Sequence, residues 1–352
     1  MTGREHRENL LRAMEFYYPE WIPCRVSIPA RYWAEERERC TRLVQNHPRI
    51  FPNQNIEEYG HIHPRATKGI LRDSWGCVWR NEQDGIIGQV AESPLDDWDK
   101  LKTYSPPDPL KDGVFGERNW EAVALRFKAM KERGEFTEGD GENLFDRLYA
   151  LRGFENLMMD IALDDPHLPV LVDMLREYEL KLVDKWLEIG VDRMYFHTDI
   201  GTQQSLMIHP DQFRKYLKPL FRELFQKCRN AGTHVRLSSD GVLLPIVDDL
   251  IECGISMHDP QFRANGLERI AKYYRGKICI ELDLDRQMFP FCTPDDILRH
   301  VRESVEALYL PEGGLMLAAL NMPEVPFENI EAQCSALEEY CFAWPNRRRK
   351  GG

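Results

Sequence analysis

The sequence predicts an α/β fold: a TIM barrel of parallel strands and helices, with a loop-rich insertion over its mouth. Three observations predict it. From about residue 168 onward, five strand-like segments are each followed by a helix-like one, the pattern of βαβ units and a parallel sheet. The stretch Lys277 to Gln287 alternates Ile278, Ile280, Leu282 and Leu284 with Cys279, Glu281, Asp283 and Asp285, the period of two that belongs to a strand. Four consecutive strands also end in ionisable residues on the face opposite their aliphatic one, and polar residues at C-terminal strand ends are where such barrels build active sites.

The elements follow in order. Arg4 to Met14 reads as an opening helix and Ile22 to Ile28 as a first strand. Residues 51–115 are loop-rich and dense in Trp, Gly and Pro; Pro106-Pro107-Asp108-Pro109 marks a turn or linker there, and a small hairpin is expected around Trp75 to Val90. Leu168 to Gly190 reads as an amphipathic helix and Val191 to Asp199 as a strand. His209 to Gly232 is helical, started by Pro210 and Asp211 and stopped by Gly232. Thr233 to Asp240, Ile255 to Asp259, Lys277 to Asp285 and Leu315 to Asn321 read as strands. Between and after them lie helices over Leu243 to Gly254, Gly266 to Tyr274, Thr293 to Ala307 and Pro326 to Phe342. Thr293-Pro294-Asp295-Asp296 opens its helix with a cap, a proline at the first helical position and acids in the first turn. A single domain is expected over 1–345, followed by a solvated basic tail, 346–352.

Composition narrows the function. The chain has 352 residues, 43% hydrophobic and 30% charged, ordinary for a globular protein. A formal net charge of -12 argues against nucleic acid or an anionic membrane as the main partner. Nine cysteines without a Cys-x-x-Cys pair are a reduced-thiol pattern, not a disulfide framework. Met1 to Arg12 is charged and lacks the apolar run of a signal peptide, and nothing approaches a membrane span of roughly 20 apolar residues. The expectation is a soluble, cytoplasmic protein. No Gly-rich phosphate fingerprint, Walker motif or short repeat is present.

The candidate chemistry lies on the polar strand ends. Tyr195, His197 and Asp199 share a face; so do His234, Arg236, Ser238 and Asp240; Ser256 and His258 oppose Ile255 and Met257; and Glu281, Asp283 and Asp285 oppose the aliphatic face of their strand. Carboxylates and imidazoles so placed suit acid–base work or a metal, though no spacing identifies a zinc site by itself. His61 and His63 alternate like ligands, but no third ligand accompanies them, so solvated loop histidines are expected. Trp75, Trp79, Tyr32 and Phe145 either line a pocket or belong to the core. Arg152, inside a helical pattern, either reaches a substrate carboxylate or pairs with Asp146 or Glu155.

With these segments laid out, the chain resembles the uroporphyrinogen decarboxylase superfamily over nearly its whole length. That superfamily also contains cobalamin-dependent methyltransferases acting on methylated thiols, methanol-derived methyl groups and methoxylated compounds. The resemblance is carried by Arg4-Glu5-His6-Arg7, Ala13-Met14, Ile22-Pro23, Asp73-Ser74-Trp75-Gly76-Cys77-Val78-Trp79 and Leu151-Arg152-Gly153-Phe154-Glu155. Asp199-Ile200-Gly201-Thr202-Gln203, Ile208-His209-Pro210, Ser239-Asp240-Gly241 and Pro326-Phe327-Glu328-Asn329-Ile330 complete it. It implies a (β/α)8 barrel.

The departures bear on function. Where the decarboxylase has an arginine-rich segment after its first strand, this chain reads Ser27-Ile28-Pro29-Ala30-Arg31-Tyr32, retaining one arginine. A substrate with many carboxylates needs several fixed cations, so haem-pathway decarboxylation is disfavoured. Where the zinc methyltransferases resemble His-x-Cys, this chain has Ser238-Ser239-Asp240, and their final-strand cysteine falls near Leu320 or Asn321. A zinc site built instead from His197, Asp199, Asp240, His258 and Glu281 is chemically allowed.

The resemblance therefore implies first a methyltransferase moving a methyl group from a small methylated or methoxylated substrate to a corrinoid on a separate partner protein. Asp240 and Glu281 would serve as ligand or general acid, His197 and His258 as ligand or proton shuttle, with Asp199 beside them. Arg31, Tyr32, Trp75, Trp79, Arg152 and Asp283 would contact substrate. The alternative is a decarboxylase of uroporphyrinogen or another carboxylated ring, with Asp199 or Asp240 stabilising a protonated ring and Arg31 holding a carboxylate. A third class is a binding protein on a degenerate barrel. Zinc, or no tightly bound cofactor, and a homodimer all stand as open expectations.

Overall fold

The strand-period segments form strands. In the computed structural model, which describes residues 2–62 and 66–345, the strands in chain order are β1 Cys24–Val26, β2 Gly69–Arg72, β3 Val78–Asn81, β4 Gln89–Glu92, β5 Asp112–Gly113, β6 Gly116–Glu117, β7 Glu138–Asn143, β8 Arg193–His197, β9 His234–Ser238, β10 Met257–His258, β11 Cys279–Asp283 and β12 Leu315–Ala319. His63 and the basic tail lie outside the described residues. The described residues divide into two compact units, one made of 2–61, 133–136 and 256–345, the other of 62, 66–132 and 137–255.

In the first unit, β1, β12, β11 and β10 lie side by side in that order, every pairing parallel. All five residues of β11 are buried, as expected of a parallel strand covered on both faces. Its register pairs Ile280 with Leu315 and Leu282 with Leu317, while Glu281 pairs with Met316 and Asp283 with Ala318. One face is thus aliphatic and the other carries the acids. Ala13, Met14, Met257, Cys279 and Met316 form a buried cluster on the acid-bearing face. The helix Pro294–Leu308 begins as the sequence dictates, with Thr293 and Asp296 in a reciprocal capping box.

One facing is corrected. Met257 pairs with Cys279 and His258 with Ile280, so Met257 lies on the acid-bearing face and His258 on the aliphatic one. A two-residue strand offers too little alternation to fix its own phase, and a one-residue slip exchanges the faces.

In the second unit, β7, β8 and β9 are parallel neighbours. The insertion holds an antiparallel sheet β2-β3-β4, three strands where one hairpin was expected. β7 was not expected at all, because Glu-Gly-Asp-Gly-Glu-Asn has none of the β-branched or aromatic residues that favour strands. Its glycines answer to packing: a Cβ on Gly141 would lie 2.5 Å from the Phe196 ring, so only glycine lets the strand lie there. Met194 and Phe196 turn their side chains to full burial, and Phe196, Phe221 and Phe225 pack ring against ring. The segment expected as one helix over His209 to Gly232 breaks into a turn Pro210–Gln212, a wide π-type turn Phe213–Leu217 and the helix Lys218–Asn230. Pro219 causes this, since it has no N–H to give the preceding turn and its ring crowds the carbonyl four residues back.

Candidate active site

In the second unit, β8 and β9 run in register, Tyr195 opposite Arg236 and His197 opposite Ser238, which puts these four on one face. The Arg236 guanidinium lies over the Tyr195 ring, 5.1 Å from its centre, one layer below His197. Beyond the strands the chains turn close together. Gly241 has φ +82°, and a Cβ there would come within 2.5 Å of the Gly201 carbonyl carbon and the Thr202 oxygen. A side chain fits neither that conformation nor that space. The two post-strand loops are thereby locked, and Val242 N–H donates to the Thr202 carbonyl at 2.9 Å.

This locking brings Asp199 to Asp146. The helix Leu144–Arg152 starts directly after β7, and Phe145 N–H donates to the buried Thr198 hydroxyl at 3.0 Å. Asp146 accepts from the Asp199 N–H at 2.8 Å and from the Tyr149 hydroxyl. Asp199 in turn accepts from the Asp240 N–H at 2.9 Å. His197 Nε2 stands 3.6 Å from Asp199 Oδ1. One ligand atom from each of Asp146, His197 and Asp199 lies within 4.8 Å of the others. Burial pushes the Asp146 carboxyl up, and the Asp199 charge adds to this against the opposing pull of His197. Two carboxylates and an imidazole so gathered can hold a proton or one small cation.

Asp240 contributes its backbone to this cluster, while the residue itself is exposed. Asp146 and Tyr149 were not anticipated as site residues. The sequence places Arg152 inside a helical pattern, but what aims Asp146 at β8 is the placement of β7, whose sequence carries no strand signal.

The first unit holds the acidic strand by itself. Arg25 clasps Glu281 with two hydrogen bonds, 3.0 and 2.9 Å. Arg286 Nε stands 3.4 Å from Asp283, and Arg263 grips Asp285 at 2.8 to 3.0 Å. These carboxylates are buried at 5, 5 and 8% exposure, and each burial is offset by a guanidinium. Glu281 is therefore an ion-pair acceptor before it is an acid or ligand. His258 is fully buried and stacks on the Tyr274 ring at 5.4 Å, on the side of the strand away from the acids. This corrects its expected place among the polar strand ends.

The substrate-contact expectations divide. Trp75 and Trp79 are core residues: both are buried, and their indole N–H groups donate to the buried carboxylates of Glu142 at 3.1 Å and Asp73 at 3.0 Å. Those same carboxylates hold Arg147, at 2.9 and 2.6 Å. Phe145 is likewise fully buried. Arg152 is buried and pairs with Asp160 at 2.7 Å, not with Asp146 or Glu155, and also donates to the Leu95 carbonyl. Tyr32 is buried, its hydroxyl donating to the Val325 carbonyl at 2.8 Å. Arg31 beside it is exposed and donates to the Tyr32 hydroxyl at 2.7 Å. Asn321, near the position where the resemblance places a zinc cysteine, is clamped to Ser27 and Gln333 at 2.8 Å. His61 is exposed and contacts only the Glu57 carbonyl among its described partners.

No family model and no curated protein matches the sequence. Among solved structures, the chain is similar to a methyltransferase from Methanosarcina mazei, with 16% identity, a TM-score of 0.67, and coverage of 95% of this chain and 98% of that one. An L-ribulose 3-epimerase matches 65% of this chain and 82% of its own at 12% identity and a TM-score of 0.42. The likeness to the methyltransferase shows the fold: the α/β, TIM-barrel-like class expected from the sequence. No helix among the described residues is long and apolar enough to cross a membrane.

Proposed function

We propose that the protein is a methyltransferase that moves a methyl group from a small methylated or methoxylated substrate to a corrinoid carried by a separate protein. The single observation that carries this reading is the convergence of Asp146, His197 and Asp199. Such a transfer needs the leaving heteroatom activated, by a proton or a cation, as its bond to carbon breaks. The methyl carbon bonds to cobalt(I) through the cobalt's electron pair, and the heteroatom departs with the old bonding pair and takes up a proton. Asp146 and Asp199 supply charge for that activation, and the His197 imidazole supplies a nitrogen that can hold a proton or a cation beside them. The fold shared with a methyltransferase and the superfamily resemblance support the same reading.

The ligand set of this chain departs from the thiolate zinc site that the resemblance implies. No cysteine belongs to the cluster among the described residues, and the described cysteines are all free thiols, mostly buried. A zinc ion, if held by Asp146, His197 and Asp199, would act as a Lewis acid on the leaving heteroatom. The assay is mixing with free cob(I)alamin and candidate methyl donors. Formation of methylcobalamin absorbance, lost in His197→Ala, is the expected result. Absence of any absorbance change, together with carbon dioxide release from uroporphyrinogen, would replace this reading by the decarboxylase.

A further inference from the structure

We infer that Asp146, His197 and Asp199 bind one divalent transition-metal ion in an open site of two oxygens and one nitrogen, with Tyr149 as a positioning residue. The inference deepens the methyl-transfer reading by choosing the cation over the proton as the activating group, and it rests on that reading only for its chemistry.

Four observations carry it. His197 Nε2 and Asp199 Oδ1 are 3.6 Å apart, too far for a good hydrogen bond. Two ligands bonded to one zinc at about 2.0–2.2 Å and tetrahedral angles lie roughly 3.3–3.6 Å apart, which is the spacing found. All three donors also fall within 4.8 Å of one another, so a single ion reaches them after small side-chain rotations.

The outer contacts form the third observation. Asp199 N–H and the Tyr149 hydroxyl donate to Asp146, and Asp240 N–H donates to Asp199. Donors behind each carboxylate fix its direction, as they do behind metal ligands generally. The fourth is rigidity. Asp199 and Asp240 follow strands that are paired in register, and the loop bearing Asp240 is locked at Gly241 against Gly201. The backbone that carries Asp199 and its Asp240 N–H support is therefore fixed before any ion arrives, leaving only side-chain rotations to complete the site, which lowers the ordering cost of binding.

The donor types set the metal class. Imidazole and carboxylate suit zinc, manganese, iron(II) and cobalt(II), whereas thiolate sites favour zinc and copper(I). Three protein ligands leave a coordination position open, as in catalytic rather than structural zinc sites. That position is where a substrate heteroatom would be polarised.

The test is calorimetric titration of Zn2+ into chelator-treated, full-length protein. One equivalent should bind. His197→Ala and Asp199→Asn should each weaken binding at least a hundredfold, and Tyr149→Phe by about 10- to 100-fold, the range for outer contacts of a metal site. Thermal unfolding of each variant separates lost ligation from lost folding, and because Asp146 is buried, the half-exposed His197 carries the decisive comparison. Substitution with Co2+ should give weak visible d–d bands without an intense thiolate charge-transfer band. Absence of binding, binding unchanged in folded His197→Ala, or a thiolate band each overturns the inference. Methyl transfer by metal-free protein would overturn it while leaving the methyltransferase reading intact; one bound metal without methyl transfer to cob(I)alamin would do the reverse.

Discussion

Replacing Glu179 by Gln should stabilise the protein at alkaline pH and do so progressively less as the pH falls. Glu179 projects from the helix Leu168–Ile189 and is fully buried. One carboxyl oxygen accepts the Glu142 N–H at 2.8 Å, and the other has no hydrogen-bond partner among the described residues. Burial is the main cause that pushes its pKa from 4.5 up to about 8, with the nearby charges of Glu142 and Asp140 adding to it. The folded chain thus holds a proton that the unfolded chain has already released between those two values. Stability must fall as pH rises through that window, because the unfolded state binds fewer protons there. At about 1.4 kcal/mol per pH unit, the loss between pH 5 and pH 8 is about 3 kcal/mol.

Glutamine keeps the accepting oxygen but cannot titrate. Whatever fixed cost its amide carries in a buried place is the same at every pH. The measurement is chemical unfolding of both proteins at pH 5 and pH 8. The gap between variant and wild type should grow by about 3 kcal/mol toward pH 8. A gap that stays constant across this range would show that Glu179 is ionised in the folded protein or solvated by water, and would refute the reasoning.

Three further outcomes are expected. Arg147→Ala leaves the buried Asp73 and Glu142 carboxylates without their guanidinium and should destabilise by about 3–5 kcal/mol; a loss under 1 kcal/mol in urea unfolding would mean that those acids become protonated at little cost. His300 is held neutral by burial, its pKa pushed down to about 4, so the stability it contributes is intact above pH 6.5 and drains as pH falls toward 4. His300→Gln should flatten the acid limb of a stability–pH curve, and an unchanged limb would assign that limb to other groups. Asp240→Asn keeps the amide that supports Asp199, and because the Asp240 carboxylate is not one of the three clustered donors, methyl transfer and the melting temperature should both stay nearly unchanged. A turnover loss of about 10²-fold or more, the range of a lost acid–base group, would add the Asp240 side chain to the catalytic set.

What the sequence determined by itself is the class of fold and the positions of its strong elements. β11 was legible because four aliphatic and four polar residues alternate without interruption, and the helix Pro294–Leu308 because its cap, proline and first-turn acids are local signals. His197 and Asp199 were legible as candidates for the same reason: the phase of β8 follows from its own side chains. Tertiary structure decided the rest. Whether Glu281, Asp283 and Asp285 stand as reactive acids or as ion-pair acceptors depended on Arg25, Arg286 and Arg263, and Arg25 lies more than two hundred residues from Glu281. His258 took the opposite face because the register with β11, not its own two-residue strand, sets its phase. Trp75 and Trp79 went to the core because buried Glu142 and Asp73 satisfy their N–H groups. Asp146 joined His197 and Asp199 through β7, a strand of acids, asparagine and two glycines, whose Gly139 and Gly141 lie where a Cβ would meet Trp186, Met194 and Phe196. Local periodicity states which way a side chain points along its own element; which charge it meets there is a property of the packed chain.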